Sequence, residues 1–411
     1  MSLPTSPVHP TRPLYHEDST QLTFSAAVVA VQGQEIALDA TAFYPEGGGQ
    51  SSDVGRLRWE DGEAEVTAVR KDKATGVVWH ALSGAAPEPG MTVHGSVNAD
   101  MRWRHMQRHS GEHLLAQAFA RVSPTFEVAA VSMRGPECTL DLRGEPAESH
   151  VRAAEQLLRE TLGRGDLQLY TPVVLEAELG NFPLRRETKV RGQVRLVIFQ
   201  DSGGVPFDVS ACGGTHVPRA SMAAPVVVLR TEKQKAGLTR VVFMAGEEAS
   251  AFLAGVYRDA RTLAQGFSVP VGELPGRVAA LGAEREALRT EAEALRSQLA
   301  GALLLAEPAQ RLQGFSLRVL AVQDPALLAP MLMQVPAGSV LAVWTPQGRC
   351  GVASGHPDIN AGEVLRQALA QTGGKGGGRP ELAQGQTTDP AAFGAAVQAA
   401  LEQRLGAAQA P

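Results

Sequence analysis

Cysteine is scarce in this chain: three in 411 residues, Cys138, Cys212 and Cys350, far apart and odd in number. That excludes a disulfide scaffold and fits a reducing compartment. No apolar run approaches the ~18 residues of a membrane-spanning helix; the longest clean one lies around Leu303–Ala306. The N-terminal stretch lacks an apolar core of signal-peptide length. The expectation is a soluble, cytoplasmic protein with no membrane partner. There is no excess of positive charge either, since 43 acidic residues face 38 basic ones for a net charge of −5. A generic nucleic-acid coat is thereby disfavoured, although local basic clusters are not. Gly and Pro, 43 and 26 residues, stay below the ~25–30% of low-complexity chains. The length predicts roughly two to four domains.

What is present changes character along the chain. Residues 1–97 read as short strands divided by Gly, Pro and Asp turns, which predicts a small β-barrel or sandwich. Asp100 is the expected cap of a helix from Met101 to Val122. A strand pair, a helix over Glu148–Arg164 and further strands at 167–175, 193–199, 224–230 and 239–245 complete an α+β domain, 98–246, with a mostly antiparallel sheet. Residues 247–312 turn helical. Leu274, Val278, Leu281, Arg285, Leu288, Ala292, Leu295, Leu299 and Ala302 keep a 4-3 spacing, a coiled-coil-like seam on a helical hairpin; an ordinary amphipathic helix has the same pattern. Residues 313–411 read as a small α/β domain. The fold class expected is α+β multidomain.

Four stretches carry chemistry. In His109-Ser110-Gly111-Glu112-His113 the two imidazoles lie one helical turn apart and can grip one metal ion; a mere pair of surface or core histidines is the alternative. In Cys212-Gly213-Gly214-Thr215-His216 a Cys and a His are joined by a tight glycine turn. Three His and one Cys together favour Zn²⁺ over hard cations. Gly213, Gly214 and the Thr215 hydroxyl are candidates to face an oxyanion. Phe43-Tyr44-Pro45-Glu46-Gly47-Gly48-Gly49-Gln50 offers glycines for close backbone approach and an amide donor and acceptor at Gln50; the alternative is a plain hairpin turn. Gly373-Gly374-Lys375-Gly376-Gly377-Gly378-Arg379-Pro380 reads as an ordered loop, a candidate phosphate nest that is not a Walker motif. Two basic patches flank these motifs: Arg102, Arg104 and Arg108, and the run Arg185, Arg186, Lys189, Arg191 and Arg195. Such runs are usually solvated faces, but beside a metal site they can hold a phosphate backbone.

Together, HSGEHLL, CGGTHV, FYPEGGGQ and GGKGGGRP resemble the editing half of alanyl-tRNA synthetase. In the absence of an aminoacylation domain the match is to the free-standing AlaX editing proteins in their long form. A similar C-terminal domain is appended to DHH phosphoesterases, but no Asp-His-His triplet occurs here. The resemblance implies zinc held by His109, His113, Cys212 and His216. It implies hydrolysis of the ester between serine, or glycine, and the 3′ adenosine of tRNA(Ala). It makes Gly48, Gly49 and Gln50 candidate contacts of the editing pocket. Arg185, Arg186, Lys189, Arg191, Lys375 and Arg379 become candidate tRNA contacts, and the last domain and the seam suggest a homodimer. Relatives carry a polar residue after the His pair that discriminates the serine hydroxyl. Here that stretch is Val128–Val131, with Thr125 or Ser132 as substitutes. Two other readings compete: a non-catalytic tRNA- or RNA-binding protein with a structural zinc, and a zinc hydrolase of small esters.

Overall fold

The structure is a computed structural model that describes residues 9–312 and 314–407. Residues 1–8, 313 and 408–411, at the start of the first expected domain and both ends of the last, lie outside the described residues. The chain forms two compact units, Met1–Arg261 and Thr262–Pro411. The architecture is mixed α+β with a closed six-stranded barrel. Among the described residues no helix is long and apolar enough to cross a membrane.

In the first unit the barrel strands are β1 (Thr23–Gln32), β2 (Glu35–Leu38), β3 (Gly55–Trp59), β4 (Gly62–Lys71), β5 (Val78–Ser83) and β6 (Thr92–Val97). They close in the order β1-β2-β5-β4-β3-β6, every neighbour antiparallel. Alternation explains the closure: β6 buries Val93, Gly95 and Val97 and exposes the residues between, the period of a half-buried strand. Ile36, Leu57, Val66 and Phe43 fill the interior.

Helix α1 (Ala99–Val122) follows the barrel directly. Its cap is Asn98, not the expected Asp100. Asn98 is still extended and its side chain accepts the Met101 N–H at 3.0 Å, whereas Asp100 already lies in the first turn, where its charge suits the helix dipole. Every residue from 105 to 116 is buried, so polar groups on α1 need partners. Arg102 is 1% exposed and pairs with Asp53. Arg108 makes two 2.7 Å bonds to Glu248, and Arg104 lies 3.7 Å from Glu247. The first basic patch is therefore a set of ion pairs and not a free phosphate-binding face.

Two antiparallel sheets surround α1. One runs β13 (Val226–Lys233), β14 (Leu238–Ala245), β8 (Cys138–Arg143), β7 (Val128–Ser132). Leu114, Leu115 and Phe119 of α1 share a core with Leu140 and Phe243 of this sheet and with Leu158 of α2 (Glu148–Arg164). The other centres on β11 (Gln193–Gln200), paired with β9 (Gln168–Tyr170), β10 (Val173–Leu175) and β12 (Pro206–Ala211). The single strand expected over 167–175 is broken at Thr171-Pro172, where proline has no N–H to give a ladder. Helix α3 (Gly246–Gly266) follows β14.

In the second unit, α4 (Leu274–Ala306) leads into a six-stranded sheet. Its strands are β15 (Gln310–Leu312), β16 (Phe315–Ala321), β17 (Ser339–Trp344), β18 (Arg349–Ser354), β19 (Gly374–Gly378) and β20 (Leu382–Thr387), in the order β15-β16-β17-β18-β20-β19. One face packs on α6 (Ala361–Thr372) and α7 (Pro390–Ala407). The other packs on α5 (Leu328–Leu332) and on Ala300 and Leu304 of α4. The expected loop at 373–380 is in fact β19, an edge strand whose Lys375 is paired in register with Gln386. Its amides follow a ladder and do not curl around an anion.

Candidate metal centre

Helix geometry places His109 and His113 one turn apart on α1, and the turn after β12 brings Cys212 and His216 to them. One donor atom from each of the four lies within 4.8 Å of all the others. The Cys212 sulfur is 3.4 Å from both His109 Nε2 and His216 Nε2. Each imidazole is held through its other nitrogen. His109 Nδ1 is 2.7 Å from Gln50 Oε1, His113 Nδ1 is 2.9 Å from Asp208 Oδ2, and His216 Nδ1 is 3.2 Å from Ser110 Oγ. Anchoring Nδ1 in this way aims Nε2 inward, the arrangement that fixes tautomer and ring orientation in metal sites. The four side chains can hold a metal ion.

Electrostatics favours the ligand forms of two of them. Burial works against ionisation of Cys212, but the imidazoles of His109 and His216 outweigh it and hold the thiol well below its ordinary value. Burial, together with His109, keeps His216 well below its ordinary value and neutral. His113 differs. Burial opposes its protonation, yet the hydrogen bond to Asp208 and the nearby Cys212 outweigh that and raise it to about 10. Asp208 itself is held low against its burial by Arg185 and His113.

The cysteine turn is clamped by backbone contacts. Arg195 Nη1 donates to the carbonyls of Cys212 at 2.8 Å and Gly214 at 3.1 Å. His16, kept at about 4 by burial and by Arg195, sits 3.0 Å from the Gly213 oxygen. The Gly214 N–H donates to the Cys212 sulfur at 3.3 Å. Only glycine fits at 214, because a Cβ there would lie 2.1 Å from Cε1 of His109.

The cluster opens on a cavity of 580 Å³ lined by His109, His113, Cys212, Gly213, Gly214 and Gly48, and also by Glu112, Val131, Arg185, Arg186, Glu187 and Lys189. His216 does not line it. Neither do Gln50, a candidate contact of the editing pocket, and Thr215, a candidate to face an oxyanion. Gln50 is 1% exposed, with its Oε1 on His109 and its Nε2 donating to Thr215 Oγ1 at 2.9 Å. These two side chains hold the His109 ring in place and are not free for a substrate. Gly48 reaches the cavity, whereas Gly49 instead ties the loop to β7, accepting the Met133 N–H at 2.9 Å.

The second basic run divides. Arg185 is partly buried, donating to the His113 carbonyl at 3.1 Å and lying 3.4 Å from Asp208. Arg195 serves the cysteine turn. Arg191 pairs with Glu176. Arg186 and Lys189 remain exposed on the cavity rim. Lys375 and Arg379 are exposed in the second unit, Lys375 lining a separate hollow of 560 Å³ with Arg349. Thr125 and Ser132 do not line the 580 Å³ cavity; Val131 does. Sequence reading missed Asp208, Ser110 and Glu112. Asp208, Ser210 and Cys212 recur at the two-residue period of a strand, and Glu112 is three residues after His109, on the same helical face. Both signals were legible.

Three family models match. Residues 16–101 match tRNA synthetases class II (A), residues 194–242 the threonyl and alanyl tRNA synthetase second additional domain, and residues 328–406 the DHHA1 domain. The alanine–tRNA ligase of Thermococcus kodakarensis is 32% identical over 92% of this chain and 42% of its own length. That of Archaeoglobus fulgidus is 33% identical over 91% and 42%. The chain thus spans less than half the length of these curated relatives. The C-Ala domain of Aquifex aeolicus alanyl-tRNA synthetase is 27% identical, covers 23% of this chain and 96% of that one, and has a TM-score of 0.21.

Proposed function

From the premise that this chain is an AlaX-like alanyl-tRNA editing protein, resembling domains of alanyl-tRNA synthetase, we propose that it deacylates tRNA(Ala) mischarged with serine, or with glycine, as a zinc-dependent trans-editing hydrolase. The observation that carries this reading is the preformed cluster. Three anchored imidazoles and one thiolate converge, and three of the four face a cavity deep enough for an aminoacyl group. Sulfur-to-nitrogen distances of 3.4 Å are close to the ~3.5 Å edge of a tetrahedron with ordinary Zn–S and Zn–N bonds.

His109, His113, Cys212 and His216 would hold the zinc. When bound, it supplies Lewis acidity beside the scissile carbonyl. The rest is done by the chain. Gln50, Asp208 and Ser110 keep the imidazoles oriented. The Gly214 amide is committed to the thiolate, which leaves the amide of Gly213, a residue that lines the cavity, for negative charge developing on the carbonyl oxygen. Arg186 and Lys189 at the rim suit the phosphates of a tRNA acceptor end. Homodimerisation belongs to the same proposal.

Four protein donors is also the pattern of a closed structural metal site, which favours a second reading as a non-catalytic tRNA-binding protein. Deacylation of Ser-tRNA(Ala) by the zinc-loaded native protein, with Cys212→Ala as the control, separates the two. Under the first reading the variant loses both bound zinc and deacylation of Ser-tRNA(Ala). Under the second, the zinc-loaded native protein binds tRNA and hydrolyses nothing.

A further inference from the structure

Glu112 lines the same cavity. Glu112 is 3% exposed, yet among the described residues its carboxylate accepts no hydrogen bond. Its nearest charged neighbours are His113 Nε2 at 3.8 Å and Arg185 Nη2 at 4.0 Å, both beyond hydrogen-bonding reach. Arg185 is turned away to Asp208 and the His113 carbonyl. Asp208 shows what a satisfied carboxylate looks like in the same place. Equally buried, it takes His113 Nδ1 at 2.9 Å and Ser210 Oγ at 3.1 Å.

Buried carboxylates are normally paired, because an unpaired one gives up its hydration for nothing. The Glu112 oxygens are not among the fully enclosed polar atoms that lack a partner, so the carboxylate opens on the cavity, where a cationic donor of hydrogen bonds arriving with the ligand can give it the close partner that His113 and Arg185 do not. An aminoacyl ester brings one. Its α-ammonium nitrogen lies about 2.5 Å from the scissile carbonyl carbon, across two bonds. A carboxylate 3.8 Å from His113 Nε2, an atom that would hold the metal, is therefore placed for the ammonium if the carbonyl lies against the cluster. The charge layout of the cavity agrees. Glu112 is deep, while the exposed cations Arg186 and Lys189, with Glu187 between them in sequence, lie at the rim. A substrate cationic at its aminoacyl head and anionic along its phosphates enters head first.

We propose that Glu112 holds the α-ammonium group of the aminoacyl ester, so that the site accepts esters of free amino acids and rejects acyl esters that lack the amine. This rests on the reading of the site as an aminoacyl-tRNA hydrolase. The test is a cycle of residue against substrate. Native protein and Glu112→Gln, both loaded with zinc and matched for metal content, are given tRNA(Ala) carrying serine or carrying 3-hydroxypropanoate, which is serine without its amino group.

On the seryl ester the variant should raise KM by about ten- to a hundredfold, the size of a hydrogen bond to a charged group, with a smaller change in kcat. On the desamino ester, native and variant should agree within about threefold. Native protein alone should also show the gap in KM, which the greater intrinsic lability of the ammonium-bearing ester does not produce, so the proposal is testable even if the variant does not fold. An equal penalty on both esters would overturn it and assign Glu112 to the metal or to proton transfer. No penalty on either would overturn it too. If native protein hydrolyses no aminoacyl-tRNA, the hydrolase reading fails first and takes this proposal with it.

Discussion

At the scale of single residues the metal cluster depends on what stands behind it. His109 is aimed by Gln50 and His113 by Asp208. Replacing Gln50 with Ala or Asp208 with Asn should weaken metal affinity by about 10- to 100-fold, read by competition with a chromophoric chelator, while the fold persists. Gly214→Ala should do at least as much damage, since its methyl group falls on the His109 ring. Protons compete with metal for the same atoms. Because His113 is raised to about 10, metal binding must displace its proton throughout the neutral range. Affinity should climb with pH from about 6 to about 9. The climb should be flatter in Asp208→Asn, where the raising partner is gone. An unchanged pH profile in that variant would contradict this assignment.

Among the elements, the sequence is legible to different depths. Strand alternation such as that of β6 marked the barrel, and the HxxxH and CxxxH spacings marked the four donors, because both are local patterns. The role of Gln50 was not legible. Its partners His109 and Thr215 are distant in sequence, and only closure of the barrel against α1 shows that its amide is already engaged. The GGKGGG stretch misled for another reason: glycines permit a nest and an edge strand equally, and pairing with β20 decided the matter. On α4 the expected seam is largely exposed. Val278, Leu288, Leu295 and Leu299 are 49–65% accessible, whereas the buried contacts come from Ala300 and Leu304 off the seam. An exposed apolar stripe of this kind suits self-association. If the seam mediates it, Leu288→Glu should shift the native protein from dimer to monomer in analytical ultracentrifugation and leave its helix content unchanged.

For the whole molecule, net charge of −5 puts the burden of the proposed tRNA binding on local cations. Arg186 and Lys189 are rim residues, so charge reversal at both should weaken tRNA binding and lower its salt slope by about two, with bound metal unaffected. The most direct measurement is deacylation by the zinc-loaded protein of tRNA(Ala) charged with serine, beside the same tRNA charged with alanine. The account predicts rapid loss of serine with alanine spared, and loss of that activity when the metal is removed. Persistence of the seryl ester at the uncatalysed rate would contradict it.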